Sequence, residues 1–267
     1  MSAKDLTAAQ LRKNAEQRHQ RKGLADAAPL YLQAAAGYAD DNRHADAAAM
    51  LQSALEREER KAKASGHQPR ELRRALAAAL ASSRQNGEAI SEYEEYLKSG
   101  PPDAGALQAL ADLYVAAGKP SLAVDRLRRA IDRSIAENDI PSAATAAGRV
   151  STLLPESVDA AAQYVLLLRS VGDARLLGAL DHLADLYHAQ EKIAHEVAVL
   201  REIRSLAPNK EAVRERLVNL YTRILEMDPQ DEEAWNGLRS ADPALSEQMT
   251  VLLMDELTGE RARSQAG

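Results

Sequence analysis

The sequence predicts an all-α repeat protein of about fourteen helices. Hydrophobic residues make up 45% of the chain and aromatic residues only 3%, so the apolar fraction is mostly Ala and Leu, which favour helices. Apolar residues also recur at helical spacing over most of the chain. In addition, a five-residue motif of the form Leu-x-x-Leu-Tyr ends at Tyr114, Tyr187 and Tyr221, and its last two copies lie 34 residues apart.

The clearest unit runs from Leu107 to Ile131 and comprises two short amphipathic helices around a turn at Gly118. Neither helix can bury its apolar stripe alone, so the unit requires copies of itself on either side. The stripe of the first helix is Leu107, Leu110, Ala111 and Tyr114, and that of the second is Ala123, Leu127, Ala130 and Ile131.

This pattern resembles the tetratricopeptide repeat, a 34-residue helix-turn-helix. With Ala104 as position 1, large residues, small residues, Tyr114 and Gly118 occupy the places that the family reserves for them. The resemblance covers roughly residues 24–238. It implies a right-handed superhelical solenoid of helix-turn-helix repeats.

The pattern divides the chain into three parts. Residues 1–23 form an N-terminal capping helix, which begins at Thr7 and stops at Gly23. Residues 24–241 form the repeat array, with an irregular register near 138–172. Residues 242–267 form a C-terminal capping helix and a short tail, with Asp242 as the helix N-cap and the helix running through Leu257.

Several positions depart from the regular repeat. A break is expected at 65–69, and Asn86-Gly87 is expected to supply a turn. In the unit 177–210, Glu191 replaces the turn glycine and Glu196 replaces the small residue expected at position 20. The helix that follows Pro120 is expected to serve two successive units.

Composition and motifs exclude several classes of protein. The absence of cysteine excludes disulfides, zinc-thiolate sites and a cysteine nucleophile. The sequence contains neither a phosphate-binding loop nor a hydrolase or metalloprotease motif, so we expect no enzyme activity and no cofactor. The net charge of −6 does not favour nucleic acid.

The N-terminus and the apolar runs indicate where in the cell the protein is located. The N-terminus lacks the apolar segment of a signal peptide, and the apolar runs are too short to span a bilayer. We therefore expect a cytoplasmic protein without membrane insertion, and the Ala- and Arg-rich composition suggests a bacterial source.

One cluster of polar residues admits two interpretations. Asp181, Asp185 and His188 share a helix face, and Glu191 and His195 follow past the turn. Carboxylate and imidazole groups could together hold a divalent metal. The interpretation we favour is the polar inner face of a repeat helix, because the sequence supplies no supporting groups for a metal.

The resemblance to tetratricopeptide repeats implies a partner-binding groove. In that family the first helices of the repeats line a concave surface that contacts peptides. The corresponding positions here hold Arg74, Gln108, Asp112, Asp181, Asp185, His188, Glu215 and Asn219. The groove would be acidic towards its C-terminal half, which favours a partner with Lys or Arg. Alternatively, these residues form a solvated surface.

The two end helices offer further surfaces. In the N-terminal helix, Lys and Arg outnumber Asp and Glu, which is typical of a solvated face or of a contact with an acidic partner. The final helix is apolar over a wide arc, so part of it could form a homo-oligomer contact.

The predicted function is that of a non-catalytic scaffold or adaptor, which binds a protein or peptide in the concave groove. Two alternatives remain open at this point. The chain could be a regulatory subunit or sensor of a larger complex, or a structural protein that self-associates through its C-terminal helix.

Overall fold

The computed structural model describes residues 7–61 and 70–251, and all regular secondary structure in these ranges is helical. By their internal contacts the residues fall into two compact units, Met1–Leu153 and Leu154–Gly267. The boundary lies within the stretch where the repeat register becomes irregular. The break expected at 65–69 lies outside the described residues.

The described residues contain fourteen helices, which confirms the all-α fold class. The first unit contains α1 (Ala8–Lys22), α2 (Leu24–Asp40), α3 (His44–Lys61), α4 (Arg70–Ser82), α5 (Asn86–Lys98), α6 (Ala104–Ala116), α7 (Pro120–Ala136) and α8 (Ile140–Leu153). The second contains α9 (Val158–Val171), α10 (Leu176–Ala189), α11 (Ile193–Leu206), α12 (Glu211–Met227), α13 (Glu232–Ala241) and α14, which is described over 243–251.

The starts of α1 and α14 follow ordinary capping chemistry. At α1, the Thr7 hydroxyl accepts from the Gln10 amide while the Gln10 side chain accepts from the Thr7 amide, which makes a capping box. The carboxylate of Asp242 accepts from the Leu245 amide at 3.0 Å and caps α14. Both predicted starts are therefore confirmed, whereas the predicted end of α14 at Leu257 lies outside the described residues.

Most of the hairpins share one turn. The amide of Lys119 donates to the carbonyl of Tyr114 at 2.8 Å across Gly118, whose φ of 69° is left-handed. This is the Schellman arrangement, which satisfies carbonyls at a helix end. The same bond closes α2, α4, α7, α9 and α10, with Asn42, Arg84, Asn138, Gly172 and Glu191 as the left-handed residues.

These turns settle two predictions. Glu191 occupies the left-handed position, as expected of a residue in place of the turn glycine. The turn predicted at Asn86-Gly87 is wrong, because Arg84 is the left-handed residue and Asn86 already begins α5. The Asn-Gly pair is a strong turn signal, but here the hydrogen bond from the Gln85 amide to Leu80 closes the turn earlier.

The core of each unit is a continuous layer of Ala and Leu between successive helices. All eight predicted stripe residues of α6 and α7 are buried. The helix α7 packs against both α6 and α8, and the same turn joins it to each, as expected of a helix that serves two successive units. Close packing of Ala against Leu explains how so few aromatic residues suffice.

The first and last described helices pack on their neighbours. The helix α1 lies on α2, with the buried ring of His19 between the Tyr31 hydroxyl at 3.3 Å and the Glu58 carboxylate at 3.1 Å. At the other end, Leu245 and Met249 of α14 pack on the core of the second unit. None of the described helices combines the length and apolar character needed to cross a bilayer.

Candidate functional site

The predicted site residues fall into two groups, one in each unit. Arg74 lies on α4, whereas Gln108 and Asp112 lie on α6. The second unit holds the larger group, which we name the α10–α12 face and which consists of Asp181, Asp185, His188, Glu215 and Asn219. Within this face the side chains of Asp185 and His188 are 69% and 64% exposed.

A buried ion network supports the α10–α12 face. The Nε of Arg216 on α12 donates at 2.5 Å to Glu196 of α11, a carboxylate that is 1% exposed. Another nitrogen of Arg216 donates to Asp185 at 2.6 Å, and a third donates to the carbonyl of Ala184 at 3.0 Å. The ring Nδ1 of His188 lies 3.1 Å from the other oxygen of Glu196. One guanidinium thus fixes three helices together.

The network explains why a glutamate can replace the usual small residue. A buried carboxylate is costly unless it is paired and hydrogen-bonded, and Arg216 and His188 together supply both requirements. Burial alone would lower the pKa of Arg216, but the hydrogen bonds to Asp185 and Glu196 outweigh it and raise that pKa. Arg216 therefore stays charged and holds Asp185 in one orientation.

Two other predicted carboxylates, Asp181 and Asp112, also have cation partners. Lys210 donates to both oxygens of Asp181, at 2.7 and 2.6 Å. In the first unit, Arg149 of α8 pairs with Asp112, and Arg74 pairs at 3.2 Å with Asp103. A partner would meet ion pairs in these places rather than bare carboxylates.

These cations were missed in the sequence, although a signal for them exists. Asp185 and Arg216 are 31 residues apart, and Asp181 and Lys210 are 29 residues apart. Both separations are close to the length of one repeat, because first helices of successive repeats lie side by side. Opposite charges about one repeat apart in sequence therefore predict ion pairs between alternate helices.

The second helices are joined in the same way. Arg169 of α9 makes two hydrogen bonds with Glu202 of α11, at 2.9 and 2.7 Å, across 33 residues. Arg201 of α11 pairs with Glu233 of α13 and donates to the hydroxyl of Tyr221 at 2.7 Å. Ion pairs between alternate helices thus occur on both sides of the second unit.

An open cleft of about 800 Å³ lies on the second-helix side of this unit. Its lining comes from α11, α12 and α13 and includes Arg201, Arg204, Tyr221, Glu232 and Gly237. A Cβ at Gly237 would lie 2.3 Å from the ring of Tyr221, so only glycine lets the ring occupy this place. The sequence did not point to this cleft, and none of the predicted site residues lines it.

The first unit has a smaller cleft of about 460 Å³ at the start of α6 and α8. Gln108 lines it, together with Arg70, Asp103 and Arg133. Burial tends to raise the pKa of Asp103, but the Ala106 amide, Arg74 and the Tyr96 hydroxyl outweigh it and lower that pKa. Asp103 is therefore occupied as the N-cap of α6.

The structure also bears on the metal hypothesis. Among the described residues, no group of three or more Asp, Glu and His side chains is placed to hold a metal ion. Asp185 accepts a hydrogen bond from Arg216, and His188 lies at hydrogen-bond distance from Glu196. The ring of His195 packs on that of Tyr187, with the ring centroids 5.0 Å apart. The five residues therefore do not converge on one point.

Comparisons with known proteins find similar solved structures only. Neither a family model nor a curated protein matches the sequence. Similar solved structures include the TPR-like repeats of a putative kinesin light chain from Podosopora anserina, at 18% identity over 66% of this chain and 92% of that chain, with a TM-score of 0.44. They also include YrrB, a TPR protein with an unusual peptide-binding site, at 13% identity over 90% and 97% of the chains, with a TM-score of 0.36.

A third similar structure is a tetratricopeptide repeat protein from Parabacteroides merdae, at 15% identity over 79% of this chain and 97% of that chain, with a TM-score of 0.35. At such identities and TM-scores these likenesses carry no argument about this chain. The observations that bear on its architecture come from the chain itself: the register of its buried residues, its repeated Schellman turns and its ion pairs between alternate helices. On these features, the chain is built from tetratricopeptide-like repeats.

Proposed function

We propose that the chain is a non-catalytic scaffold that binds a protein or peptide partner on the α10–α12 face. The observation that carries this proposal is the buried network beneath the face. Arg216 and Glu196 hold Asp185 and His188 in fixed orientations while leaving their outer atoms exposed. Side chains that are oriented before a partner arrives lose less conformational entropy on binding.

The partner's chemistry follows from the balance of charge on this face. Asp185 is 69% exposed but its partner Arg216 is only 29% exposed, so the surface presents more carboxylate than guanidinium. Glu215 is exposed and has no ion pair among the described residues. We therefore propose a partner segment that presents Lys or Arg.

The test reverses charge without disturbing the network. The double variant Glu215→Lys, Asn219→Lys changes two exposed side chains that take no part in the ion pairs described above. We expect it to lose the partners that wild-type protein captures from the native cell, as identified by mass spectrometry. Glu156→Lys, at an exposed position in the α8–α9 connection, is the control for added positive charge.

The comparison between the two variants decides the proposal. Loss of the same partners from both variants would point to net charge rather than to this face. Full retention of the partners by the double variant, with unchanged helicity by circular dichroism, would refute binding at the α10–α12 face.

A further inference from the structure

We propose that the exposed basic face of α1 binds the α10–α12 face of a second copy of this chain, so that the protein assembles head to tail. This inference rests on the proposed function, because it names a partner for the same surface. Three observations support it: the exposed basic side chains of α1, the contacts that fix both ends of α1, and the opposite net charges of the two units.

The helix α1 has one buried side and one side without a partner. Its buried residues, Ala8, Leu11, Ala15 and His19, form a single stripe. Lys13, Gln17 and Arg21 lie on the opposite side at intervals of one helical turn and are exposed. Neither Lys13 nor Arg21 makes an ion pair with any residue that the structure describes.

The basic row is presented on a fixed support. The capping box at Thr7 fixes the start of α1. Near its end, the buried ring of His19 lies between Tyr31 of α2 and Glu58 of α3. A helix anchored at both ends can present charged side chains without a cost in ordering its backbone.

The two units carry opposite net charge. The fifteen residues of α1 contain five Lys or Arg and one Glu, a net charge of +4. Residues 154–267 contain 20 Asp or Glu and 12 Lys or Arg, a net charge of −8, whereas residues 1–153 carry +2. Electrostatic steering therefore favours the start of one copy meeting the second unit of another.

The fit is between a row of donors and a set of acceptors. Lys13 and Arg21 offer ammonium and guanidinium donors, whereas the exposed Glu215 offers its carboxylate and Asp185, 69% exposed, offers the oxygen that Arg216 leaves free. Because the two surfaces differ, the contact is heterologous, and each copy keeps one free surface of each kind. Such contacts build rings or open chains, and in either case the average mass rises with concentration.

Sedimentation velocity of the full chain tests self-association directly. We expect the average mass to rise with protein concentration at low salt. We expect the association constant to fall about tenfold or more between low and physiological ionic strength, because exposed charges are screened. A mass equal to that of the monomer at all concentrations would overturn the proposal.

Charge reversal tests the two surfaces separately. The variant Lys13→Glu, Arg21→Glu should be monomeric, since its α1 would repel the acidic face. The variant Glu215→Lys, Asn219→Lys should be monomeric as well. Arg128→Glu, Arg129→Glu is the matched control for the first variant, because it changes the net charge equally at exposed positions of α7, and it should associate like wild type.

Mixing the two monomeric variants gives the decisive result. In the mixture, the α1 surface of each variant meets an α10–α12 face of opposite charge on the other variant. Equal amounts should therefore associate, although neither variant does so alone. Continued monomers in the mixture, or loss of association in the α7 control, would overturn the proposal. So would association that the Lys13→Glu, Arg21→Glu variant retains, since that points to another surface such as the C-terminal helix.

A failure of the self-association can be distinguished from a failure of the proposed function. A monomeric protein that still loses its cellular partners through Glu215→Lys, Asn219→Lys would refute the self-association and support the scaffold. A protein that self-associates as described but captures nothing else would support both, with the second copy as its partner.

Discussion

At the scale of the residue, the most informative side chain is Glu196. The sequence marked it as an exception, because it takes the place of a small residue, and the structure shows what compensates for it. Its carboxylate is buried and accepts from Arg216 at 2.5 Å. Sequence could identify the anomaly but not its partner, because the partner lies 20 residues further on in another helix.

The first prediction concerns this pair. We expect Glu196→Gln to lower the free energy of unfolding by about 2 kcal/mol, because it weakens the buried charge-assisted hydrogen bonds to Arg216 and His188, although Asp185 still pairs with Arg216. Chemical denaturation followed by circular dichroism measures the change. Glu215→Gln removes a carboxylate from the same face but breaks no ion pair between described residues. It should lower the free energy of unfolding by less than about 0.5 kcal/mol. Equal effects of the two substitutions would contradict the role assigned to Glu196.

The second prediction concerns Gly237 beneath the Tyr221 ring. A methyl group there would lie 2.3 Å from the ring, so Gly237→Ala must displace the ring and with it the hydroxyl that Arg201 contacts. We expect a loss of about 2 kcal/mol in unfolding free energy. Gly178→Ala in α10 meets no atom within 4 Å and should stabilise its helix slightly, which makes it the control.

The third prediction concerns the titration of Asp173. The side chain and the backbone amide of Arg175 donate to this carboxylate and lower its pKa from 3.8 to about 2. A depressed carboxyl pKa stabilises the fold above pH 3.8, and this stabilisation is lost as pH falls towards 2. We expect Arg175→Ala to move the pKa, measured by carbon-detected NMR titration, back towards its ordinary value. An unchanged pKa would exclude Arg175 as the main cause.

At the scale of the element, the repeat hairpin was largely predictable. The stripes of α6 and α7 could be placed because apolar residues at helical spacing need a neighbouring helix. The turn at α4–α5 could not, because Asn86-Gly87 carries the usual turn chemistry while Arg84 carries the actual left-handed geometry. Here the regular Schellman bond prevailed over the local residue preference.

The fourth prediction follows from this repeated turn. A left-handed φ is unfavourable in conformational free energy for residues other than glycine. Glu191→Gly, at φ 54°, should therefore raise the free energy of unfolding by about 1 kcal/mol. The opposite change at the equivalent turn, Gly118→Ala at φ 69°, should lower it by a similar amount. Thermal unfolding of both variants measures the effect. Stabilisation by both substitutions, or by neither, would be incompatible with the shared turn.

The sequence predicted the carboxylates and the histidine of the candidate site but not the cations that contact them. Sequence placed Asp181, Asp185 and His188 on one side of α10, and the structure agrees, since their spacing on a helix fixes their direction. The cations that meet them, Lys210 and Arg216, were not foreseen because they belong to the next repeat. Charge pairing between repeats depends on the lateral packing of helices, which periodicity within one helix does not describe.

At the scale of the whole molecule, each described helix contacts mainly the helices that are close to it in chain order. Packing links successive helices within each unit, and ion pairs link alternate ones, as Arg169–Glu202 and Arg216–Asp185 do. Stability in such arrays is close to a sum of local contributions. The networks of α10–α12 belong to the second unit.

The fifth prediction tests this locality. In Glu196→Gln, amide hydrogen exchange should accelerate in α10, α11 and α12 and remain unchanged in α6 and α7. Mass spectrometry of exchanged peptides separates these regions. Acceleration of similar size in both units would show instead that the molecule opens as one cooperative body.

The network beneath the α10–α12 face also limits how this array could grow or be rebuilt. Asn219 stands on α12 one repeat after Asp185, and Trp235 is the fourth residue of α13, where α11 has Glu196. A hairpin copied from α12 and α13 into the place of α10 and α11 would therefore leave Arg216 without both of its carboxylates. Repeats here are not interchangeable modules.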